Sequence, residues 1–303
     1  MSTKDKPKAV SYGGVSPRPR KGALRGATPT AGPSGPGRFP GFTYHGGPVI
    51  SAPEVHSTFW GSLWSHADHQ ARATRLNQFL TDLATSTFMN VLSQYGVGLG
   101  QFVGSTFVAN VPDVLHDTDI HGIIQSKIDD GTFPEPGDPS NLALIIYLDE
   151  NMGVEDPDIT MCEPTSDNAF GYHNFFITSA GNPFYYAVIP SVDDTCVHNT
   201  CPDDASCSLH RAQTQEQRQT QVTSHEFAEM TTDPQLNAWF DPDPNNGENG
   251  DICNGESATI TVGANAWTVQ RTYSKADDMA TNGESFCLSE APNPLEPLHP
   301  GPV

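Results

Sequence analysis

Apolar residues along this chain alternate with polar ones in short runs, and a few stretches repeat at helical spacing. Ala71, Leu76, Phe79, Leu80 and Leu83 fall on one face of a helix over 66–83, and residues 87–95 extend it as a second short helix. Residues 101–110 read as a strand, 117–129 as a helix capped by Asp117 or Thr118, and LALIIYL at 142–148 as a buried strand. Two further strands, 175–178 and 184–189, flank a turn at Ala180, Gly181 and Asn182. A long helix is expected from about 208 to 232, opened by solvent-facing Gln and Arg residues and closed by Asp233 and Pro234, because proline cannot continue it. A hairpin over 259–272 follows, and GGPVISAPEVHSTFWG near residue 46 offers two short β-like runs around Pro53. This order of strands and helices predicts an α+β fold, with a mixed sheet, a long helix packed beneath it, and an irregular, disulfide-braced C-terminal part.

Composition sets the limits. Residues 1–44 are rich in Gly, Pro, Ser and Arg with almost no apolar periodicity, which predicts a disordered basic leader, a possible propeptide. A single domain is expected over 45–290, followed by a Pro-rich tail at 291–303. The chain has 303 residues and a net charge of -21, with 36 acidic against 15 basic groups. Eight of the basic groups lie in residues 1–40 beside one acid, so the body is far more acidic than the total suggests. Such a surface argues against nucleic acid as a partner, because phosphate backbones require basic residues. No run of 18 apolar residues is present to span a membrane. The cysteines at 162, 196, 201, 207, 253 and 287 are even in number and suit disulfides of undetermined pairing, with a zinc knot of Cys196, Cys201 and Cys207 as the alternative. Cystine bonds imply an extracellular setting, although MSTKDKPKAV has no apolar signal core.

The chemistry concentrates in TSHEFAEMTTDP, at the end of the long helix. His225 and Glu229 are four residues apart and share one helix face, where both can grip one ion. Glu226 points about 100° away, the placement of a general base that takes the proton of a metal-activated water. Zinc needs a third protein ligand, and the following acidic loop offers Glu248, 19 residues after Glu229, with Asp251 just beyond it to orient a ligand histidine; the reverse assignment is also open. His173 and Tyr172, with Tyr273 behind them, are candidates to steady an oxyanion, and His173 is also a candidate ligand. A second carboxylate in place of histidine lowers the charge of a Zn²⁺ site, which favours slower hydrolysis, a harder ion such as Mn²⁺ or Ca²⁺, or a structural role. An additional Ca²⁺ would suit the acidic loop. His66 and His69, three apart near a helix start, either bind metal or form an ordinary helix end; Trp60, Trp64 and Trp239 are expected in the core.

The residues His225, Glu226, Ala228 and Glu229, then Thr232 and Pro234, then Asn237, Ala238 and Trp239, then Glu248, Asp251 and Cys253, form an order that resembles the EXORDIUM-like, phosphate-induced family and its bacterial relatives. GGPVI at 46–50, FWGSLW at 59–64, the run Gly171, Tyr172, His173, and YAVIP at 186–190 fit it as well, so the resemblance spans about 45–290. It implies an extracellular or wall-associated protein with a zincin-like metallopeptidase site, and it departs from the family in lacking the expected signal peptide and in an expanded 241–251 loop. The sequence therefore predicts a zinc-dependent metallohydrolase, in first place an endopeptidase acting on peptide or protein. The alternatives are a secreted binding protein with a structural metal and no turnover, and a hydrolase of another amide or ester.

Overall fold

The computed structural model describes residues 37–137, 140–156, 159–162, 168–200, 212–243 and 246–298. Its centre is a five-stranded sheet of β1 (Glu54–Trp60), β2 (Gln101–Val108), β3 (Leu142–Leu148), β4 (Tyr172–Ile177) and β5 (Pro183–Ile189), in the order β2-β1-β3-β5-β4. The first four positions pair in parallel, and β4 closes one end antiparallel to β5. Parallel neighbours need long crossovers. These are supplied by α1 (Ala67–Thr85) between β1 and β2 and by α2 (Asp117–Asp129) between β2 and β3.

The unbroken apolar run of β3 follows from its central position. Ala143, Ile145 and Tyr147 enter the larger core with α1 and the site helix, whereas Leu142, Leu144, Ile146 and Leu148 enter a second core with Ile120 and Ile124 of α2. The edges of the sheet are β2 and β4. Trp60, Trp64 and Trp239 are buried as expected.

The site helix α3 spans Gln215–Thr232, so it starts later than the sequence pattern suggested. Thr214 caps it: its hydroxyl accepts from Gln217 N at 3.3 Å, and Gln217 Oε1 accepts from Thr214 N at 2.9 Å. Of its Gln and Arg residues only Gln217 is exposed as expected, whereas Arg218, Gln219 and Gln221 are buried. The physical reason is that the polar groups of α3 bond to neighbouring backbone. Gln219 Nε2 donates to Pro190 O at 3.3 Å, Thr220 Oγ1 donates to Thr268 O at 2.7 Å, and Ser224 Oγ accepts from Gln270 N at 2.9 Å. The last two bonds seat a hairpin of β6 (Ser257–Val262) and β7 (Asn265–Gln270) along the helix.

Two further expectations change. The helix 117–129 is capped by His116, whose backbone N donates to Asp119 at 2.9 Å, and the Asp117 carboxylate bonds to the sheet instead. Residues 37–44 are packed against the domain, with Phe39 and Phe42 in the main core and Thr43–Tyr44 paired to Trp239–Phe240. The packed body therefore begins by residue 37, and the rest of the basic leader lies outside the described residues. The Pro-rich tail has no regular element over 291–298, yet Ala291, Leu295 and Leu298 donate backbone hydrogen bonds to Thr87, Asn90 and Gln94. Disulfides join Cys162 to Cys196 and Cys253 to Cys287, while Cys201 and Cys207 lie outside the described residues. No helix of the described residues is long and apolar enough to cross a membrane.

Candidate metal centre

The last two turns of α3 carry His225, Glu226 and Glu229 into the protein, where each is completely buried. Two other elements close on them. Strand β4 brings His173 from the sheet edge, also completely buried, and the turn into the short helix α4 (Asn249–Ile252) brings Glu248 and Asp251. Glu248 is 5% exposed, and the Asp251 side chain at 25% is the only one of the six to reach solvent appreciably.

His225 Nε2 lies 3.1 Å from Glu229 Oε1, 4.0 Å from Glu226 Oε1 and 4.0 Å from Asp251 Oδ1. His173 Nδ1 lies 3.6 Å from Glu226 Oε2 and 3.7 Å from Glu229 Oε2, and its Nε2 lies 3.6 Å from Glu248 Oε1. Most of these separations exceed a hydrogen bond. They match two ligand atoms on one cation, which at zinc bond lengths and tetrahedral angles lie about 3.4 Å apart. Both ring nitrogens of His173, Nε2 of His225, Oε2 of Glu229 and Oε1 of Glu248 are buried without a hydrogen-bond partner. Buried polar atoms are ordinarily satisfied, so an orphaned set this dense fits a cation.

The surroundings hold these groups in place. The side-chain amide of Gln270 lies 2.5 Å from His225 Nδ1 and donates to Gly250 O at 2.9 Å, which turns Nε2 toward the carboxylates. Glu229 Oε1 accepts from Asp251 N at 3.0 Å, and Asp251 Oδ2 accepts from Glu248 N at 3.3 Å. Gly250 permits this closeness. A Cβ there would fall 2.8 Å from both Glu229 Oε1 and His225 Nδ1. Gly250→Ala is therefore expected to cost about 1–3 kcal/mol through overpacking and to weaken cation binding, read by thermal melts with and without added ion. Unchanged melts in both conditions would show that the turn yields easily.

Burial, and then the Asp251 charge, push Glu229 well above the ordinary carboxylate range. Burial and the charges of Glu229, Asp233, Asp251 and Glu226 do the same to Glu248. Burial raises Asp233 to about 6. Each of these groups favours folding fully below its unfolded pKa, near 4, and that contribution is lost as pH rises through the folded value. His173 has the opposite sign: burial and the nearby His225 lower it to about 3, so its contribution is present above 6.5 and lost as pH falls. Three raised carboxyls outweigh one lowered imidazole. Cation-free protein is expected to melt at falling temperature as pH rises from about 4.5 to 7, with saturating divalent ion reversing the trend. A melting temperature that climbs over this range without added ion would contradict it.

Tyr172 is not part of the site. Side chains alternate along a strand, so the neighbour of His173 points to the opposite face, where its hydroxyl donates to Asp117 Oδ1 at 2.8 Å. Asn174, also on that face, donates to Asp117 Oδ2 at 2.8 Å, and Tyr186 OH donates to Oδ1 at 2.5 Å. Tyr273 is likewise elsewhere, donating to Asp278 at 2.7 Å. Asp251 rather than Glu248 is the carboxylate grouped with His225 and Glu229, whereas Glu248 faces His173. His66, Asp68 and His69 do come together near the start of α1, but His69 is already held by Asp68 at 3.1 Å and Glu150 at 2.8 Å. An open depression of about 370 Å³, lined by Asp193, Asp194, Gln213, Thr214, Gln215 and Arg218, is at the other end of α3 and shares no residue with the buried cluster. Gln270 is the functional residue that sequence reasoning missed; its partner His225 is 45 residues distant, and no local pattern marks it.

No known protein family, characterised protein or solved structure matches this chain. Its own geometry must therefore carry the functional argument.

Proposed function

We propose that this protein is a metal-dependent hydrolase, most directly a zinc endopeptidase of zincin-like build, working at the end of α3. The observation that carries the reading is the buried set of histidine nitrogens and carboxylate oxygens, orphaned of hydrogen bonds and spaced as ligands of a cation. His225, Glu229 and Asp251 would hold the ion, with Gln270 fixing the His225 ring. A bound divalent ion supplies polarisation of the scissile carbonyl and acidification of water.

Glu226 is the residue placed to take a proton from that water and return it to the leaving amine. It follows His225 directly in α3 and lies between the two imidazoles. His173, a neutral imidazole at physiological pH, can donate one hydrogen bond or accept one, but carries no charge with which to steady an oxyanion. A peptide substrate is supported by β4, which is the last strand of the sheet and carries His173. Sheet edges pair readily with extended chains.

Deep burial favours a second reading, a disulfide-braced extracellular protein whose metal is structural, since five of the six groups are at most 5% exposed. One experiment separates the two. Bound metal is measured on purified full-length protein by elemental analysis, and cleavage of unfolded casein is followed with and without chelator, for the native chain and for His225→Ala. Metal together with chelator-sensitive cleavage is the expected result, with cleavage lost and bound metal reduced in the variant. Metal without cleavage assigns the structural role, and equal metal in His225→Ala removes the site.

A further inference from the structure

The six ionisable groups of the site do not converge on one point. Five of them form two groups that share a residue: His225, Glu229 and Asp251 on one side, and His173, Glu226 and Glu229 on the other, the ligand atoms of each lying within 4.8 Å of one another. The oxygens of Glu229 are divided between them, Oε1 facing His225 at 3.1 Å and Oε2 facing His173 at 3.7 Å. Glu226 is divided in the same way, with Oε1 4.0 Å from His225 and Oε2 3.6 Å from His173. Carboxylates whose two oxygens look toward different imidazoles are arranged to bridge a pair of ions.

We infer that this pocket binds two divalent cations, the first at His225, Glu229 and Asp251 and the second at His173 Nδ1, Glu226 and Glu229. The inference rests on the cation-binding part of the reading above and extends it. Charge counting supports the pair. Glu226, Glu229, Glu248 and Asp251 bring four negative charges into a pocket that solvent scarcely reaches. One divalent ion leaves two of them uncompensated, and two ions cancel them, which matters where burial makes an unpaired charge costly. The orphaned ring of His173 supplies the independent sign of a second ligand position, since both its nitrogens are fully buried and unpartnered. With Nδ1 on the ion, Nε2 carries the proton toward Glu248 Oε1, 3.6 Å away, which orients the ring as a carboxylate commonly orients a ligating histidine.

The second ion has a functional cost. It engages Glu226, the base of the one-ion form, so hydrolysis is fastest with the first position filled and falls as the second fills.

The test uses the full chain, stripped with chelator and titrated with Zn²⁺ at neutral pH, with bound metal counted after desalting. The same protein loaded with Mn²⁺ is examined by electron paramagnetic resonance. Two ions per chain and a spin-coupled spectrum are expected, with His173→Ala reduced to one ion and an uncoupled signal. Saturation of the native chain at one ion overturns the inference and leaves the hydrolase reading standing; no bound ion overturns both. Two ions with uncoupled spectra place the second elsewhere and also overturn it, and loss of one ion in a His66→Ala, His69→Ala double variant would identify that place. The native count and spectrum decide the matter even if His173→Ala fails to fold.

Discussion

Glu226→Gln is expected to keep the ion at His225, Glu229 and Asp251 while lowering the rate of peptide hydrolysis by about 10²–10⁴-fold, the usual worth of a general base. The substitution preserves size and shape in a place where neither can change. Gly171 packs so closely on this side chain that even a Cβ there would lie 2.9 Å from Glu226 Oε1, and Glu226 itself is completely buried. What the amide removes is one negative charge and the ability to accept a proton. The measurement is kcat against unfolded casein alongside metal content on the same preparation. A rate within about twofold of the native protein would end the assignment of Glu226 as base. Loss of metal together with activity would instead mark Glu226 as essential to the first ion, contrary to the grouping of that ion with Asp251.

Removing the disulfide between Cys253 and Cys287 is expected to lower stability strongly. The bond closes a loop with a sequence separation of 34. Cross-linking a loop of that length stabilises the fold by about 3–4 kcal/mol through the unfolded chain. It also anchors the site directly: Cys253 ends α4, the helix that carries Asp251, and Cys287 lies on a strand paired with Thr272–Tyr273. A Cys253→Ser, Cys287→Ser double variant is expected to unfold at lower denaturant concentration and to bind the first ion more weakly. Saturating ion should restore part of the stability, by mass action on the folded state. A denaturation midpoint equal to the native one would show that the turn holds itself without the bridge.

Much of the architecture could be read from period and punctuation. Strand β3 was recognisable because a run such as LALIIYL can bury both faces, and α1 because its apolar positions recur at helical spacing. The pairing of His225 with Glu229 followed from helical geometry, and the acids at 248 and 251 from their separation along the chain. The failures have physical causes too. Residues 37–44 were assigned to the leader because Gly and Pro dominate them, and composition conceals two aromatic anchors, Phe39 and Phe42. Arg218, Gln219 and Gln221 were placed in solvent because polarity usually means exposure, whereas here they satisfy the carbonyls and side chains of loops folded over them. Tyr172 was grouped with His173 although strand alternation separates adjacent residues, a rule that needed only the strand to begin three residues earlier. Gln270 could not be assigned at all, because its partner is 45 residues distant and no local pattern links the two.

The carboxylate of Asp117 gives the site a dependence on the far side of the molecule. Tyr172 and Asn174, the two residues flanking His173, both donate to it across the opposite core. The edge strand is thereby pinned before and after the residue it delivers, as an axle is held by bearings on either side of a wheel. An edge strand has a neighbour on one side only, and its twist is otherwise loosely governed. The aim of His173 at Glu226 and Glu229 is therefore set partly by a group that touches neither them nor any ion. Selection for cation affinity in this protein would act on both faces of the sheet, and a redesign of the pocket that ignored Asp117 would be adjusting a ligand without its mount.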